Sequence, residues 1–167
     1  MSNFERTSDI NNLVGNETNG GWEAVDHQVK MVQSEWDELL KGIEERDIHE
    51  LRDGIQDVLF TVYGLGHRAG MPVDLDYEEL VRSQMSKFDT TEESALLTRK
   101  KYEAMGMAVI QKERVFEGRV YVVTYSAKDQ YDHQNRFAPE GKWLKSRAFE
   151  EPRYQPLPKD VQLALDV

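Results

Sequence analysis

The sequence predicts a mainly α-helical bundle of four to five helices, followed by a small C-terminal β-hairpin and an irregular tail. Two observations support this fold class. From Trp22 to Leu65 apolar residues recur at spacings of three and four, the pattern of amphipathic helices. After Gly106 the pattern changes to β-rich segments, and the sequence from about residue 127 is polar and contains four of the five prolines.

Five helices are predicted from apolar spacing and from helix-starting residues. Asp47 is the expected N-cap of the third of them, and Gly70 is expected to end it. The second half of that helix, VLFTVYGLG, is apolar nearly all round and is expected to be central and buried. The predicted helices cover residues 4–14, 22–45, 48–68, 76–87 and 91–105.

The segment 107–126 predicts a β-hairpin, with Glu117-Gly118 as its turn. We therefore expect a helical domain over residues 1–106. A hairpin and an irregular extension, residues 107–167, are expected to pack on that same domain.

Composition limits the classes of function. The chain has 167 residues and a net charge of −10, and this charge argues against a general nucleic-acid binder. The absence of cysteine excludes thiolate metal sites and a cysteine nucleophile. No apolar segment is long enough for a membrane span or a signal peptide. We expect a soluble cytoplasmic protein with neither a nucleic-acid nor a membrane partner.

Two acidic pairs are the most informative feature of the chain. Glu35 and Glu38 share one face of the second predicted helix, and Asp53 and Asp57 share a face of the third. The short turn between these helices makes them an antiparallel pair, so the two acidic pairs come together. Asp57 directly precedes Val58-Leu59-Phe60, where burial is expected. Several carboxylates held together favour a hard divalent cation, although a single such pair is usually a solvated surface.

The acidic motifs and their surroundings resemble the MazG-like, all-α nucleoside triphosphate pyrophosphohydrolases. The resemblance covers residues 22–90 and is carried by the segments SEWDELLKGI and ELRDGIQDVLFTVYGLG. The family signature is EExxE on one helix and ExxD on the next. Glu35, Glu38 and Asp57 match it, whereas Ser34 and Gly54 stand where the family has Glu. Either Asp53 or Glu50 could supply the missing carboxylate. Gly141-Lys142 and Lys145-Ser146 resemble the family's tail more loosely.

The resemblance implies hydrolysis of a nucleoside triphosphate between its α and β phosphorus atoms, giving a monophosphate and pyrophosphate. It implies Mg²⁺, or Mn²⁺ in its place, held by Glu35, Glu38, Asp57 and the fourth acid Asp53. Either Glu35 or Glu38 is then the catalytic group that takes a proton from water. Phosphoribosyl-ATP or a modified nucleotide is an alternative substrate. A catalytically idle helical scaffold or binding protein, which keeps the fold without the activity, is the competing interpretation.

Substrate-binding residues are predicted from position alone. His27, Met31 and Ser34 share the face of Glu38 and could line a nucleobase pocket, although a core or interface histidine explains His27 equally well. Lys87 is the strongest candidate for a phosphate contact, against the alternative of a solvated surface lysine.

Because two helices are apolar on more than one face, we also expect a homodimer or a homotetramer.

Overall fold

The computed structural model describes residues 1–165, and side chains through Gln162. A mainly helical chain with a β-hairpin is confirmed. Within the described residues there are six helices and two antiparallel strand pairs. The helices are α1 (Asn3–Leu13), α2 (Gly21–Glu45), α3 (Ile48–Ala69), α4 (Val73–Met85), α5 (Glu92–Ala104) and α6 (Lys159–Leu165). The strands are β1 (Val109–Phe116), β2 (Arg119–Ser126), β3 (Gln130–Tyr131) and β4 (Phe137–Ala138).

The ends of α3 form as the sequence predicts. The side chain of Asp47 accepts hydrogen bonds from the backbone N–H groups of His49 (2.8 Å) and Glu50 (3.3 Å), which identifies it as the N-cap. Gly70 ends the helix at φ +70°, a conformation that glycine adopts without the steric cost of a β-carbon. The connection from α2 to α3 is therefore only Arg46 and Asp47.

The chain divides into two compact units. Unit 1 comprises Met1–Tyr77 and Gln155–Val167, and unit 2 comprises Glu78–Tyr154. This division falls inside α4, whereas the sequence-based division lay at residue 106. Residues 166 and 167 of the expected extension lie outside the described residues. The helix α6, which the sequence analysis did not predict, belongs to unit 1 and packs against α2.

Close contact between α2 and α3 is made at glycines. A β-carbon on Gly42 would lie 2.9 Å from Glu50 Cβ, and one on Gly54 would lie 3.0 Å from Leu39 Cα. A β-carbon on Gly64 would lie 2.8 Å from the side-chain nitrogen of Gln28. Along these contacts the residue numbers increase on α3 as they decrease on α2. The predicted antiparallel pair is therefore present, and glycine is what allows its backbones to approach.

The apolar residues whose spacing predicted both helices differ in exposure. Leu39 is buried, and Val25, Val32, Leu51, Val58 and Leu65 are partly buried. We define the apolar stripe as the large apolar residues of α2 and α3 whose relative exposures lie between 42 % and 50 %. They are Val29, Trp36, Leu40, Ile43, Ile55, Leu59 and Val62. The expectation that the second half of α3 is buried holds only in part, because Thr61 and Gly64 are buried whereas Leu59, Phe60 and Val62 are more than 40 % exposed. The helices contact each other through glycine, Leu39 and polar residues, and the residues of the stripe are left about half exposed.

Unit 2 contains the hairpin and its own small core. β1 and β2 pair antiparallel, with Phe116 opposite Arg119 and the turn at Glu117 (φ +48°) and Gly118 (φ +72°), as predicted. The buried core cluster consists of Tyr102, Met107, Ala138 and Leu144. Across residues 1–165, no helix has the length and apolar character needed to cross a membrane.

Candidate functional site

The register of α2 against α3 determines which acidic residues meet. Gly42 contacts Glu50, Leu39 contacts Gly54, and Gln28 contacts Gly64, so lower numbers on α2 match higher numbers on α3. This progression places Glu35 opposite Asp57. Glu35 is also seven residues from both Gln28 and Gly42, which are buried, and so lies on the same face of α2. Glu35 is accordingly half-buried, whereas most acids of α2 are exposed.

The pKa of Glu35 reflects its position between the two helices. Burial raises the pKa of its carboxyl group above the ordinary value of 4.5, and the negative charges of Glu38, Asp57 and Asp53 raise it further, in that order. Carboxylates from both helices therefore share one electrostatic neighbourhood, as the acidic pairs predicted. The raised pKa means that the carboxylate form of Glu35 is less favourable than that of an ordinary glutamate.

Asp57 differs from the sequence-based expectation in one respect. It was expected where α3 becomes buried, but its side chain is exposed, as are those of Glu38 and Asp53. The reason is that the neighbouring apolar residues of the stripe are themselves uncovered. The backbone around Asp57 is nevertheless well fixed, because the Thr61 hydroxyl donates a 2.9 Å hydrogen bond to the Asp57 carbonyl.

The four predicted metal ligands do not converge on one cavity. Glu38 lines a cavity of about 440 Å³ near the turn between the helices, together with Glu50. Asp57 lines a different cavity of about 360 Å³, together with Arg6 and Phe60. Among the described residues, no three His, Asp or Glu side chains are arranged so that they could already hold a metal ion. The carboxylates are near one another but are not arranged as a coordination shell.

Two observations distinguish Asp53 from Glu50, the two candidates for the fourth acid. Asp53 contributes to the raised pKa of Glu35, and Glu50 is not among the causes of that shift. Glu50 instead lies beside Gly42, near the turn. Gly54, which stands where the resembled family has Glu, is buried against the Leu39 backbone. A β-carbon at position 54 would lie 3.0 Å from the Leu39 Cα, so a larger side chain there would require the two helices to move apart.

The predicted nucleobase residues are exposed on α2. His27, Met31 and Ser34 all have exposed side chains. His27 lines a cavity of about 390 Å³ with Glu23 and Arg68, and none of the four predicted metal ligands lines it. Lys87 belongs to unit 2, where its half-buried side chain lines a separate cavity.

Two features were missed by sequence reasoning. Arg6 lies at the cavity of Asp57, but the amphipathic pattern of α1 did not indicate which helix it packs against. Asp89 is only 2 % exposed and accepts hydrogen bonds from three hydroxyl groups in unit 2. Its sequence, Asp89-Thr90-Thr91, indicated only a helix start. The sequence contains the three hydroxyl residues Ser94, Thr98 and Ser146, but only the tertiary fold brings them together at Asp89.

Searches of protein-family models, curated proteins and solved structures find no match to this chain.

Proposed function

We propose that this protein is a divalent-metal-dependent nucleoside triphosphate pyrophosphohydrolase that acts between the α and β phosphorus atoms. The observation that carries the proposal is the alignment of α2 and α3, which places Glu35 opposite Asp57. In this position the pKa of Glu35 is raised by burial and by carboxylates from both helices. Carboxylates that repel one another at fixed positions are unfavourable for the free protein and favourable for a bound cation. The order and spacing of these acids, and their resemblance to the MazG-like signature, suggest the reaction.

The donor set fits a hard divalent cation. Glu35, Glu38, Asp53 and Asp57 offer only carboxylate oxygens, the donors that Mg²⁺ prefers, and Mn²⁺ accepts the same set. When bound, the ion would neutralise developing charge on the phosphates. Glu38, Asp53 and Asp57 are exposed, so their side chains are not enclosed by other described residues, and their dispersed arrangement is compatible with this role.

Glu35 is the better candidate for the catalytic base. A carboxylate with a raised pKa is a stronger base than an ordinary one, and burial together with the carboxylates of both helices raises the pKa of Glu35. In this scheme Glu35 accepts the proton of the attacking water. The water oxygen bonds to one of these two phosphorus atoms, and the bond from that atom to the oxygen bridging the α and β positions breaks. The bridging oxygen keeps the electron pair, and the products are a nucleoside monophosphate and pyrophosphate.

The working form is proposed to be a homodimer or homotetramer. Seven large apolar side chains of the stripe are about half exposed, while the contact between α2 and α3 buries glycines and polar side chains such as Gln28 and Thr61. A two-fold axis would place the same apolar surface on both sides of the interface, so a second copy is the partner whose chemistry fits. Packing of this kind would also limit solvent access to Glu35 and Asp57.

The test is turnover of a panel of ribo- and deoxynucleoside triphosphates with Mg²⁺, measured as pyrophosphate released. The panel should include phosphoribosyl-ATP and modified nucleotides, because the residues do not select a base. Asp57→Asn should abolish turnover without unfolding the protein, since it removes charge at an exposed position and keeps the side-chain volume. Asp37→Asn, an exposed acid on α2 outside the set, is the matched control and should retain activity.

The alternative is a catalytically idle scaffold with a helical bundle of this kind. The observation that favours it is the absence, within residues 1–165, of three acidic or histidine side chains ready to hold a metal ion. If no nucleotide in the panel turns over, and neither Mg²⁺ nor Mn²⁺ alters thermal unfolding, the scaffold interpretation replaces the enzymatic one.

A further inference from the structure

A second cavity, in unit 2, has the opposite charge to the α2–α3 surface. Its volume is about 290 Å³, and four cationic side chains line it, Lys87, Arg136, Lys142 and Lys145, against one carboxylate, Asp132. Residues 78–154 carry 14 basic and 13 acidic side chains, whereas the rest of the chain carries 7 and 18. Unit 1 therefore carries a net charge of −11 and unit 2 a net charge of +1, so an anion meets no general repulsion from unit 2.

Two of the four cations are not neutralised by a carboxylate. Arg136 forms an ion pair with Asp132 (2.7 Å), and Lys145 forms one with Glu151 (2.7 Å). In contrast, the ammonium of Lys87 donates to the neutral side-chain amide of Gln84. Lys142 has no ion-pair partner in the part of the chain that the structure describes. The cavity thus holds two cationic groups that are free to bind an anion.

The same cavity presents flat aromatic surface. Trp143 is 55 % exposed although its ring is stacked on Phe88, with a centroid distance of 5.8 Å and an interplanar angle of 14°. Phe137 also lines the cavity and is 47 % exposed. The Lys87 ammonium lies 5.8 Å from the centre of the Trp143 ring. Cationic and aromatic groups are therefore adjacent, which suits a ligand that carries a charge beside a planar ring.

The wall that carries Lys142 and Trp143 is held by backbone hydrogen bonds. The Lys142 carbonyl accepts from Ser126 N–H (2.9 Å), and the Leu144 N–H donates to the Thr124 carbonyl (2.8 Å). Segment 142–144 is thereby fastened along β2. A ligand would meet an already formed wall, which lowers the conformational entropy lost on binding.

A buried carboxylate fixes the end of this wall. Ser146 N–H donates to the carbonyl of Lys87 (3.1 Å), and the Ser146 hydroxyl donates to Asp89 Oδ1 (2.6 Å). Asp89 Oδ1 also accepts from the hydroxyls of Ser94 (2.5 Å) and Thr98 (3.0 Å). This network ties the backbone of Lys87 to the segment that carries Lys142.

We propose that this cavity binds a nucleoside monophosphate, with its phosphate at Lys87 and Lys142 and its base against Trp143. Two unpaired ammonium groups match the charge of one phosphate group better than that of a triphosphate. The cavity volume lies at the lower end of the range for small-molecule sites, which favours a mononucleotide over a larger ligand. The inference rests on residues 78–154 alone and does not depend on catalysis by α2 and α3.

The experiment is a titration of the ¹⁵N-labelled full-length chain with deoxyadenosine monophosphate in low salt and EDTA. EDTA keeps divalent ions from the acidic residues of unit 1, so binding there does not contribute. Trp143 is the only tryptophan in unit 2, and Trp143→Phe identifies its indole N–H signal. The Trp143 signal should shift saturably, and deoxyadenosine and inorganic phosphate should each shift it less.

Substitutions of the two lysines test whether the ligand binds in this cavity. Lys142→Gln and Lys87→Gln should each weaken binding about fivefold. Lys100→Gln, an exposed lysine of α5 that does not line the cavity, should leave affinity unchanged, and the amide spectrum checks that every variant is folded. The proposal is overturned if no saturable shift occurs, if inorganic phosphate alone matches the nucleotide, or if Lys100→Gln weakens binding as much as Lys142→Gln. Pyrophosphate release with Mg²⁺ is measured separately, so either proposal can fail without the other.

Discussion

Replacing Glu35 with glutamine should change the stability of the protein in opposite directions without and with Mg²⁺. The folded-state pKa of Glu35 is raised by burial and then by the charges of Glu38, Asp57 and Asp53. The folded state therefore binds this proton more tightly than the unfolded state does. The resulting loss of stability is absent below the ordinary pKa of 4.5 and is complete once the pH has risen through the raised value. Glutamine removes this loss at neutral pH.

Burial and like charges both contribute to the magnitude, and the like charges give its order. A like-charge pair one helical turn apart costs about 0.2–0.5 kcal/mol, and Glu35 faces Glu38 on its own helix and two further acids on α3. We expect Glu35→Gln to raise the free energy of unfolding by about 0.5–1 kcal/mol in EDTA. For a chain of this length, that is an increase in Tm of about 1–4 °C.

With Mg²⁺, Glu35→Gln should be less stable than the wild type. An ion that binds only the folded state adds about 2.7 kcal/mol at a hundred times its Kd, and the variant should lose most of this gain because it lacks one ligand. The assay is urea unfolding between pH 4 and 8, with EDTA or with Mg²⁺. Asp37→Asn, exposed on the same helix, is the control and should show neither effect. Equal responses of Glu35→Gln and the wild type to Mg²⁺ would refute the reasoning.

Three further outcomes are expected. Gly54→Ala should lower the free energy of unfolding by about 1–2 kcal/mol, because the new methyl group would lie 3.0 Å from Leu39 Cα and outweighs the gain in helix propensity. Asp53→Asn should reduce pyrophosphate release more than Glu50→Gln does, since only Asp53 contributes to the Glu35 neighbourhood. Leu59→Lys should shift the mass measured by light scattering toward that of a single chain, because it puts charge into the apolar stripe.

Each of these outcomes has a contrary result. Unchanged urea midpoints for the position 54 variant would mean that α2 and α3 are not in close contact there. A larger effect at Glu50 than at Asp53 would move the fourth carboxylate toward the turn. Leu13→Lys, which changes an exposed leucine at the end of α1, is the control for the stripe. If it alters the measured mass as much as Leu59→Lys does, the stripe is not the interface.

Local signals in the sequence predicted most of the elements. Spacing gave the bounds of α2 and α3 within one residue, and Asp47 and Gly70 mark the ends of α3 as expected. Glu117-Gly118 gave the hairpin turn. These features depend on neighbours in sequence, which is why they could be predicted. The helix α6 was missed because it is only seven residues long, and its buried Val161 gains burial only by packing within unit 1.

The burial of the helices could not be predicted from the same spacing. Periodicity shows that one face of a helix is apolar but not what covers it, and in the single chain the stripe is uncovered. For the candidate site, spacing placed Glu35 and Asp57 on facing helices. Their alignment depends on where Gly42, Gly54 and Gly64 allow the backbones to approach, which is a tertiary property.

The measurement that tests the central claim most directly is the binding of Mn²⁺, followed by electron paramagnetic resonance of the free ion. Wild-type protein should bind Mn²⁺ saturably, with at least one ion per chain. A variant with amides in place of Glu35, Glu38, Asp53 and Asp57 should bind none at the same concentration. Equal Mn²⁺ binding by the wild type and this fourfold variant would contradict the account, because the paired carboxylates of α2 and α3 would then not bind the ion.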